Sequence, residues 1–125
     1  MPDLPNISPA RLQLRIFLGE DAMLGPGKAE LLDLIHAAGS ISAAGRQMKM
    51  SYKRAWMLVE EMNTAFRDPL VDSTRGGPGG GGARVTEAGL EVLALYRSVE
   101  SAAALAGADE IATLRTMLRD SPGQK

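Results

Sequence analysis

The stretch that decides the fold is Gly39–Phe66, GSISAAGRQMKMSYKRAWMLVEEMNTAF, because it contains two helix starts in quick succession. A serine side chain before a helix can accept a hydrogen bond from a backbone N–H of the first turn. We therefore expect Ser42 to cap a short helix, Ala43–Met48, and Ser51 to cap a second helix from Tyr52 to about Arg67. Two short helices with a tight connection are typical of a helix-turn-helix.

The second of these helices has one apolar and one polar side. Its apolar residues follow helical spacing and predict a stripe that faces the core: Ala55, Val59, Met62 and Phe66. At about 100° per residue, Lys53 and Met57 point away from this stripe, and Arg54 lies at its margin. Trp56 lies about a quarter-turn from the stripe, and we expect it to pack rather than to contact a ligand.

A glycine-rich run, RGGPGGGGAR, follows at Arg75–Arg84. The segments on its two sides, LVDSTR and ARVT, are short and alternate, which predicts two strands joined by a glycine tip. A nucleotide-binding phosphate loop would need Gly-Lys-Ser/Thr leading into a helix, whereas a strand follows here. A flexible linker is the alternative, and the strands on both sides argue against it.

The flanking segments predict one strand and three more helices. Alternation over Arg11–Gly19 indicates a half-buried strand, and Pro26 and Gly39 mark the start and end of a helix with Leu31, Leu34, Ile35 and Ala38 on its apolar side. Thr86 is expected to cap a long helix that ends near Gly107, and a short helix follows. The apolar surface of the long helix exceeds what one small core needs, so we expect part of it to contact a second chain.

Length and composition indicate one domain and argue against an enzyme. In the 125 residues we expect a mobile tail over 1–10, a domain over 11–106, and a short helix and tail over 107–125. Cysteine is absent, His36 is the single histidine, and Glu60 and Glu61 are adjacent rather than facing, so no catalytic pair and no metal or other cofactor is predicted. No secretion signal or membrane span is recognisable, which predicts a cytoplasmic protein without membrane association.

The positive charge is concentrated in the middle of the chain. Between Ser40 and Thr86 there are seven Lys/Arg residues against four Asp/Glu residues, an excess of +3 in a chain of net charge −1. This distribution favours a local face that binds anions, with an ordinary solvated surface as the alternative.

Taken together, the order of elements predicts a mainly α winged helix-turn-helix with an N-terminal strand, a small β-hairpin and a long C-terminal dimerisation helix. In this fold the second helix of the motif enters the major groove of DNA, and the hairpin, or wing, lies on the phosphate backbone or in the minor groove. We expect Lys53 to donate to a base or a phosphate, and the arginines at the base of the wing to pair with phosphates. The predicted DNA-contacting residues are Ser42, Arg46, Ser51, Tyr52, Lys53, Arg54, Met57, Arg75, Gly79, Gly80 and Arg84.

Four motifs, GSIS, SYKRAW, EMN and GGPGGGGARVTEAG, resemble the DNA-binding domain of the molybdate-responsive ModE regulator family, which is related to the N-terminal domains of LysR-type regulators. The similarity covers about Leu12 to Glu100. It implies a winged helix that dimerises partly through its N-terminal strand and long helix, and a transcriptional regulator that binds an inverted repeat in double-stranded DNA.

The sequence departs from the ModE pattern after residue 100. Full-length members of that family carry C-terminal molybdate-binding modules, and the remaining residues are too few for one, so we expect no molybdate site here. A homodimer on DNA is the leading interpretation. The alternatives are a protein-interaction module that forms mixed dimers with a full-length relative, and a sensor that holds a small molecule at the dimer interface.

Overall fold

The computed structural model describes residues 10–74 and 82–119. Within them it is mostly helical, with two small antiparallel strand pairs, and this confirms the predicted fold class. Predictions for the N-terminal tail and the last residues fall largely outside the described residues. The elements in chain order are β1 (Ile16–Gly19), β2 (Ala22–Leu24), α1 (Pro26–Ala38), α2 (Ile41–Gln47), α3 (Tyr52–Ala65), β3 (Val71–Thr74), β4 (Gly82–Val85), α4 (Glu87–Ala106) and α5 (Ala108–Thr116).

The N-terminal strand is shorter than predicted. Of the predicted segment Arg11–Gly19, only β1 forms a ladder. It pairs antiparallel with β2, a strand that the sequence did not predict. Leu12 and Leu14 are partly buried while Arg11 and Gln13 are exposed, so the predicted alternation is present before β1. Within β1 it is lost after Ile16, because Leu18 is exposed like Phe17. The ladder is short because β2 offers only three residues for pairing.

α1 begins and ends as predicted. Pro26 occupies its first turn, and Gly39 ends it in the left-handed conformation, with φ of 73°. Leu31 and Ile35 are buried and Leu34 is partly buried, whereas Ala38 is exposed and does not belong to the core stripe.

The cap of α2 was predicted at the wrong serine. Ser40, in extended conformation, accepts a hydrogen bond from the Ala43 N–H at 3.0 Å, so α2 begins at Ile41. Ser42 instead lies in the first turn of the helix. The earlier start has a packing reason, because it places Ile41 in the core.

α3 starts at Tyr52 with Ser51 as its cap, as predicted, but ends at Ala65 rather than near Arg67. The backbone of Phe66 is already extended, and its ring packs against the core. The helix therefore ends before Asp68-Pro69, a pair that would not continue a helix.

The wing and α4 join through a tight contact. Thr86 caps α4 as predicted, accepting from the Gly89 N–H at 3.0 Å, and it also donates to the Pro69 carbonyl at 2.7 Å. A β-carbon added at Gly89 would lie 2.3 Å from the Leu70 carbonyl oxygen. Only glycine therefore lets the start of α4 pack against the backbone of Leu70, the residue before β3.

One core joins α1, α2 and α3, which together form a three-helix motif, to β3, β4 and α4. Its buried apolar residues are Leu24, Ala29, Leu31, Leu32, Ile35, Ile41, Ala44, Ala55, Leu58, Val59, Met62, Leu70, Val71, Val85, Leu93 and Tyr96. Lys28 is the one buried charged residue among those described; its Nζ donates to the Met23 carbonyl at 3.0 Å and lies 3.2 Å from Glu61. These contacts tie α1 to β2 and to α3.

Within residues 10–74 and 82–119, no helix combines the length and the apolar character that crossing a membrane requires.

Candidate nucleic-acid interface

The first turn of α3 presents polar side chains to solvent. Ser51 accepts a hydrogen bond from the Arg54 N–H at 3.0 Å, which fixes the start of the helix. Tyr52, Lys53 and Arg54 follow at once, and all three are exposed. Because the N-terminal end of a helix also carries the positive end of the helix dipole, this turn is a favourable place for an anion.

The exposed side of α3 continues beyond the first turn. Lys53 and Met57 are four residues apart and so lie one above the other on the same side, as predicted. Met57 is 42% exposed, and so is Trp56, which we had expected to pack. An apolar strip therefore lies next to the cations.

The charge of α3 changes sign along the helix. Its first turn carries Lys53 and Arg54, whereas Glu60 and Glu61 are exposed in its second half. Glu61 also forms the ion pair with Lys28. A polyanion would therefore be attracted to the N-terminal half of α3 and repelled from the C-terminal half.

α2 contributes a cation whose position is fixed. Ser42 does not cap the helix; its Oγ accepts a hydrogen bond from Arg46 Nη1 at 3.0 Å. Both residues are one turn apart on the surface of α2, and Arg46 is exposed. Ser42 was expected to cap the helix, and in the structure it positions the Arg46 guanidinium instead.

The predicted wing is present as the β3–β4 hairpin. Asp72 stands directly opposite Arg84, and Arg84 Nη2 lies 3.1 Å from Asp72 Oδ2. The guanidinium that was expected to meet phosphates is thus paired across the hairpin, although 72% of its side chain is exposed. The predicted contacts at Arg75, Gly79 and Gly80 lie outside the described residues.

A residue that the sequence analysis did not assign to the site, Asn63, attaches the wing to α3. Its Oδ1 accepts from the Leu70 and Val71 N–H groups at 2.8 and 3.1 Å, and its Nδ2 donates to the Val71 carbonyl at 3.0 Å. The signal in the sequence was a polar amide beside the apolar stripe of α3 and shortly before a strand.

Comparison with known proteins agrees with this architecture. The family described as "Bacterial regulatory helix-turn-helix protein, lysR family" matches residues 28–90, which is half of the chain and runs from α1 into α4. Among curated relatives, the molybdenum-pterin-binding protein MopB of Rhodobacter capsulatus is 42% identical over 83 residues, 66% of this chain and 31% of its own length. The DNA-binding transcriptional dual regulator ModE of Escherichia coli K12 is 37% identical over 87 residues, 70% of this chain and 33% of its own.

A third relative, the molybdenum transport protein ModE of Azotobacter vinelandii, is 36% identical over 91 residues, 73% of this chain and 33% of its own length. The chain thus spans about a third of the length of these relatives, and the predicted resemblance to ModE proteins is confirmed over that part. With the matching family covering the three-helix motif and the wing, the chain belongs to the lysR family of bacterial regulatory helix-turn-helix proteins.

Proposed function

We propose that the chain is a sequence-specific regulator of transcription that binds double-stranded DNA. The observation that carries the proposal is the exposed, cationic first turn of α3, the second helix of a helix-turn-helix motif. The similarity of the chain to a relative named as a DNA-binding transcriptional regulator supports the same function. Such a regulator acts in the cytoplasm, where bacterial DNA lies.

In the proposed complex the N-terminal half of α3 lies in the major groove. A helix fits this groove, and lysine is well suited to the acceptors on the edge of guanine. Lys53 is the proposed donor, while Tyr52 and Met57 supply apolar surface that suits a thymine methyl group. The carboxylates in the second half of α3 keep that half away from the phosphates, which sets the direction in which the helix enters.

The other predicted contacts surround this helix. Arg46, held by Ser42, is placed to meet a phosphate beside the groove. The wing reaches the backbone or the minor groove through Arg75, Gly79 and Gly80, and through Arg84. To contact Arg84, a phosphate would have to displace the Asp72 carboxylate or share the guanidinium with it. We therefore expect Arg84 to contribute less to DNA affinity than an unpaired arginine would.

We further propose that two copies of the chain bind an inverted repeat. Besides the side of α4 that is buried in the core, the helix has an exposed row formed by Leu95, Val99, Ala102 and Ala106, which we call the α4 apolar row. Leu95 and Val99 are 59% and 45% exposed. A second copy would cover this surface, and two-fold symmetry in the protein would match an inverted repeat in the DNA.

The test compares two cations with different proposed roles. Duplexes enriched by the wild-type chain from random-sequence DNA would serve as the site, with an unrelated duplex of equal length beside them. We expect Lys53→Ala to lose about 1–3 kcal/mol of preference at one base position, because a base contact carries the sequence information. Arg84→Ala should weaken binding to both duplexes alike, because phosphate contacts carry no sequence information. Fluorescence anisotropy over a salt series measures both effects.

Arg67→Ala is the matched control, because it removes one exposed positive charge beyond the far end of α3. If Lys53→Ala and Arg67→Ala have the same effect on affinity and base preference, α3 has been assigned the wrong role. If the wild-type chain enriches no duplex, DNA binding is wrong and the protein-interaction module takes its place.

A further inference from the structure

The turn between α2 and α3 contains an unusual backbone conformation. Lys49 has φ of 61°, and it is the one non-glycine residue with positive φ among those described. This left-handed region is disfavoured for residues with a β-carbon, and glycine or asparagine usually occupies it. Such an exception marks a position where the side chain can have a function of its own.

The hydrogen bonds of the turn show why the left-handed conformation is required. The Lys49 N–H donates to the Arg46 carbonyl at 3.0 Å, and the Met50 N–H donates to the Gly45 carbonyl at 3.0 Å. This is the Schellman pattern that ends a helix, in which the residue at the position of Lys49 must be left-handed. The pattern turns the chain from α2 into the Ser51 cap of α3.

The chain uses glycine where the same conformation occurs one connection earlier. Gly39 ends α1 with φ of 73°, and its N–H donates to the Ile35 carbonyl at 2.8 Å. Both helices therefore end in a left-handed residue, which is the favoured glycine at Gly39 and a disfavoured lysine at Lys49. Backbone geometry explains the glycine, and it gives no reason for the lysine.

The position of Lys49 supplies that reason. Its side chain is exposed, two residues before the cap of α3. No carboxylate in residues 10–74 or 82–119 forms an ion pair with it. It lies in the chain between Arg46 on α2 and Lys53 on α3, the two cations that the proposed function places beside and within the groove.

We propose that Lys49 binds a phosphate of the DNA backbone, and that the chain tolerates a strained backbone at this turn in order to hold the ammonium there. The inference rests on the proposed function and adds a contact residue outside the set predicted from the sequence. The phosphate would lie beside the major groove that α3 occupies. Because a phosphate contact carries no sequence information, Lys49 would add affinity without adding preference.

The test uses the opposite effects of one substitution. Lys49→Gly removes both the β-carbon from a left-handed residue and the positive charge. We expect its Tm to rise by a few degrees, because the backbone strain is relieved. Its affinity for selected and unrelated duplexes should fall several-fold alike, and the slope of log Kd against log salt concentration should decrease by about one unit.

Three further variants separate charge from backbone. Lys49→Gln keeps the β-carbon and loses the charge. It should therefore bind DNA as weakly as Lys49→Gly, but its Tm should stay at the wild-type value. Lys49→Arg should bind like the wild type. Arg67→Gln, which removes a cation beyond the far end of α3, about 20 Å away, should leave the salt slope unchanged.

Two results would overturn the inference, and they differ. If the wild type binds DNA while Lys49→Gly and Lys49→Gln keep its affinity and salt slope, Lys49 contacts no phosphate and the proposed function stands. If the wild type binds no duplex at any salt concentration, the proposed function and this inference both fail.

Discussion

At the scale of single residues, Tyr96 joins the long helix to the beginning of the chain. It is 1% exposed, and its hydroxyl donates to the Leu14 carbonyl at 2.6 Å. Burial, followed by the negative charge of Glu100, raises the pKa of Tyr96 above its ordinary value of 10.0, and the positive charge of Arg97 opposes this shift. The folded state therefore favours the neutral phenol.

This hydrogen bond predicts the effect of Tyr96→Phe. The substitution keeps the ring and leaves the Leu14 carbonyl without its donor, so we expect the free energy of unfolding at pH 7 to fall by about 1–2 kcal/mol. In the wild type, the contribution that depends on the neutral phenol is complete below about pH 10 and is lost as the pH rises above it. The stability difference between wild type and Tyr96→Phe should therefore narrow above pH 10.

Urea unfolding followed by circular dichroism, at several pH values, measures the difference. Tyr52→Phe is the matched control, because Tyr52 is exposed and none of the hydrogen bonds seen for the described residues uses its hydroxyl. Equal stability of wild type and Tyr96→Phe at neutral pH would show that the Leu14 contact contributes nothing.

At the scale of elements, the side chain of Asn63 holds the wing to α3. Asn63 satisfies two N–H groups and one carbonyl where the chain enters β3. On the other side of the hairpin, the Ala83 N–H of β4 donates to the Gly39 carbonyl at 2.9 Å, at the end of α1. The hairpin is thus fixed on one side to α3, which carries proposed DNA-contacting residues, and on the other side to the end of α1.

Replacing Asn63 should loosen the wing and leave the helices formed. For Asn63→Ala we expect a loss of about 2 kcal/mol in stability, because three backbone groups lose their partner. Hydrogen exchange at the Leu70 and Val71 amides should become much faster than exchange within α3. Asn63→Asp keeps the accepting oxygen and loses the donor, so its effect should be intermediate; unchanged protection of both amides in Asn63→Ala would contradict the role given to Asn63.

The helix starts show which local signals were sufficient. Ser51 and Thr86 were identified as caps because each is an isolated hydroxyl residue directly before a strongly amphipathic segment. Before α2 two serines compete, and both are good caps by composition. Burial of Ile41 and the left-handed Gly39 place the start of α2 after Ser40. Both features depend on contacts outside the few residues around the cap.

At the scale of the whole molecule, α4 is oriented by contacts with α1. Arg97 Nη2 donates to Asp33 at 2.5 Å, and its Nη1 donates to Glu100 at 3.0 Å. The hydrogen bond with Asp33, and after it the one with Glu100, raises the pKa of Arg97 above its ordinary range and keeps the guanidinium charged. With Tyr96 and Leu93 buried against the core, the α4 apolar row is left facing outward.

A carboxylate in the α4 apolar row should therefore prevent self-association. We expect Leu95→Glu to convert a dimer into a folded monomer, because burying an unpaired charge in an apolar interface is strongly unfavourable. Analytical ultracentrifugation at several concentrations measures the change. Met57→Glu adds the same charge at another exposed apolar residue and should remain dimeric; a Leu95→Glu dimer, or a monomeric wild type, would contradict the proposed pairing.

The sequence by itself determined the order and kind of most elements, since periodicity, caps and glycine positions act over a few residues. It indicated α1, α3, the hairpin and α4, and the exposed first turn of α3 with Lys53. Tertiary structure alone decided contacts between residues far apart in the chain: β2 beside β1, Asn63 under the wing, Asp72 opposite Arg84, Tyr96 on Leu14. It also decided the left-handed backbone of Lys49, because that conformation arises from the way α2 must end for α3 to begin.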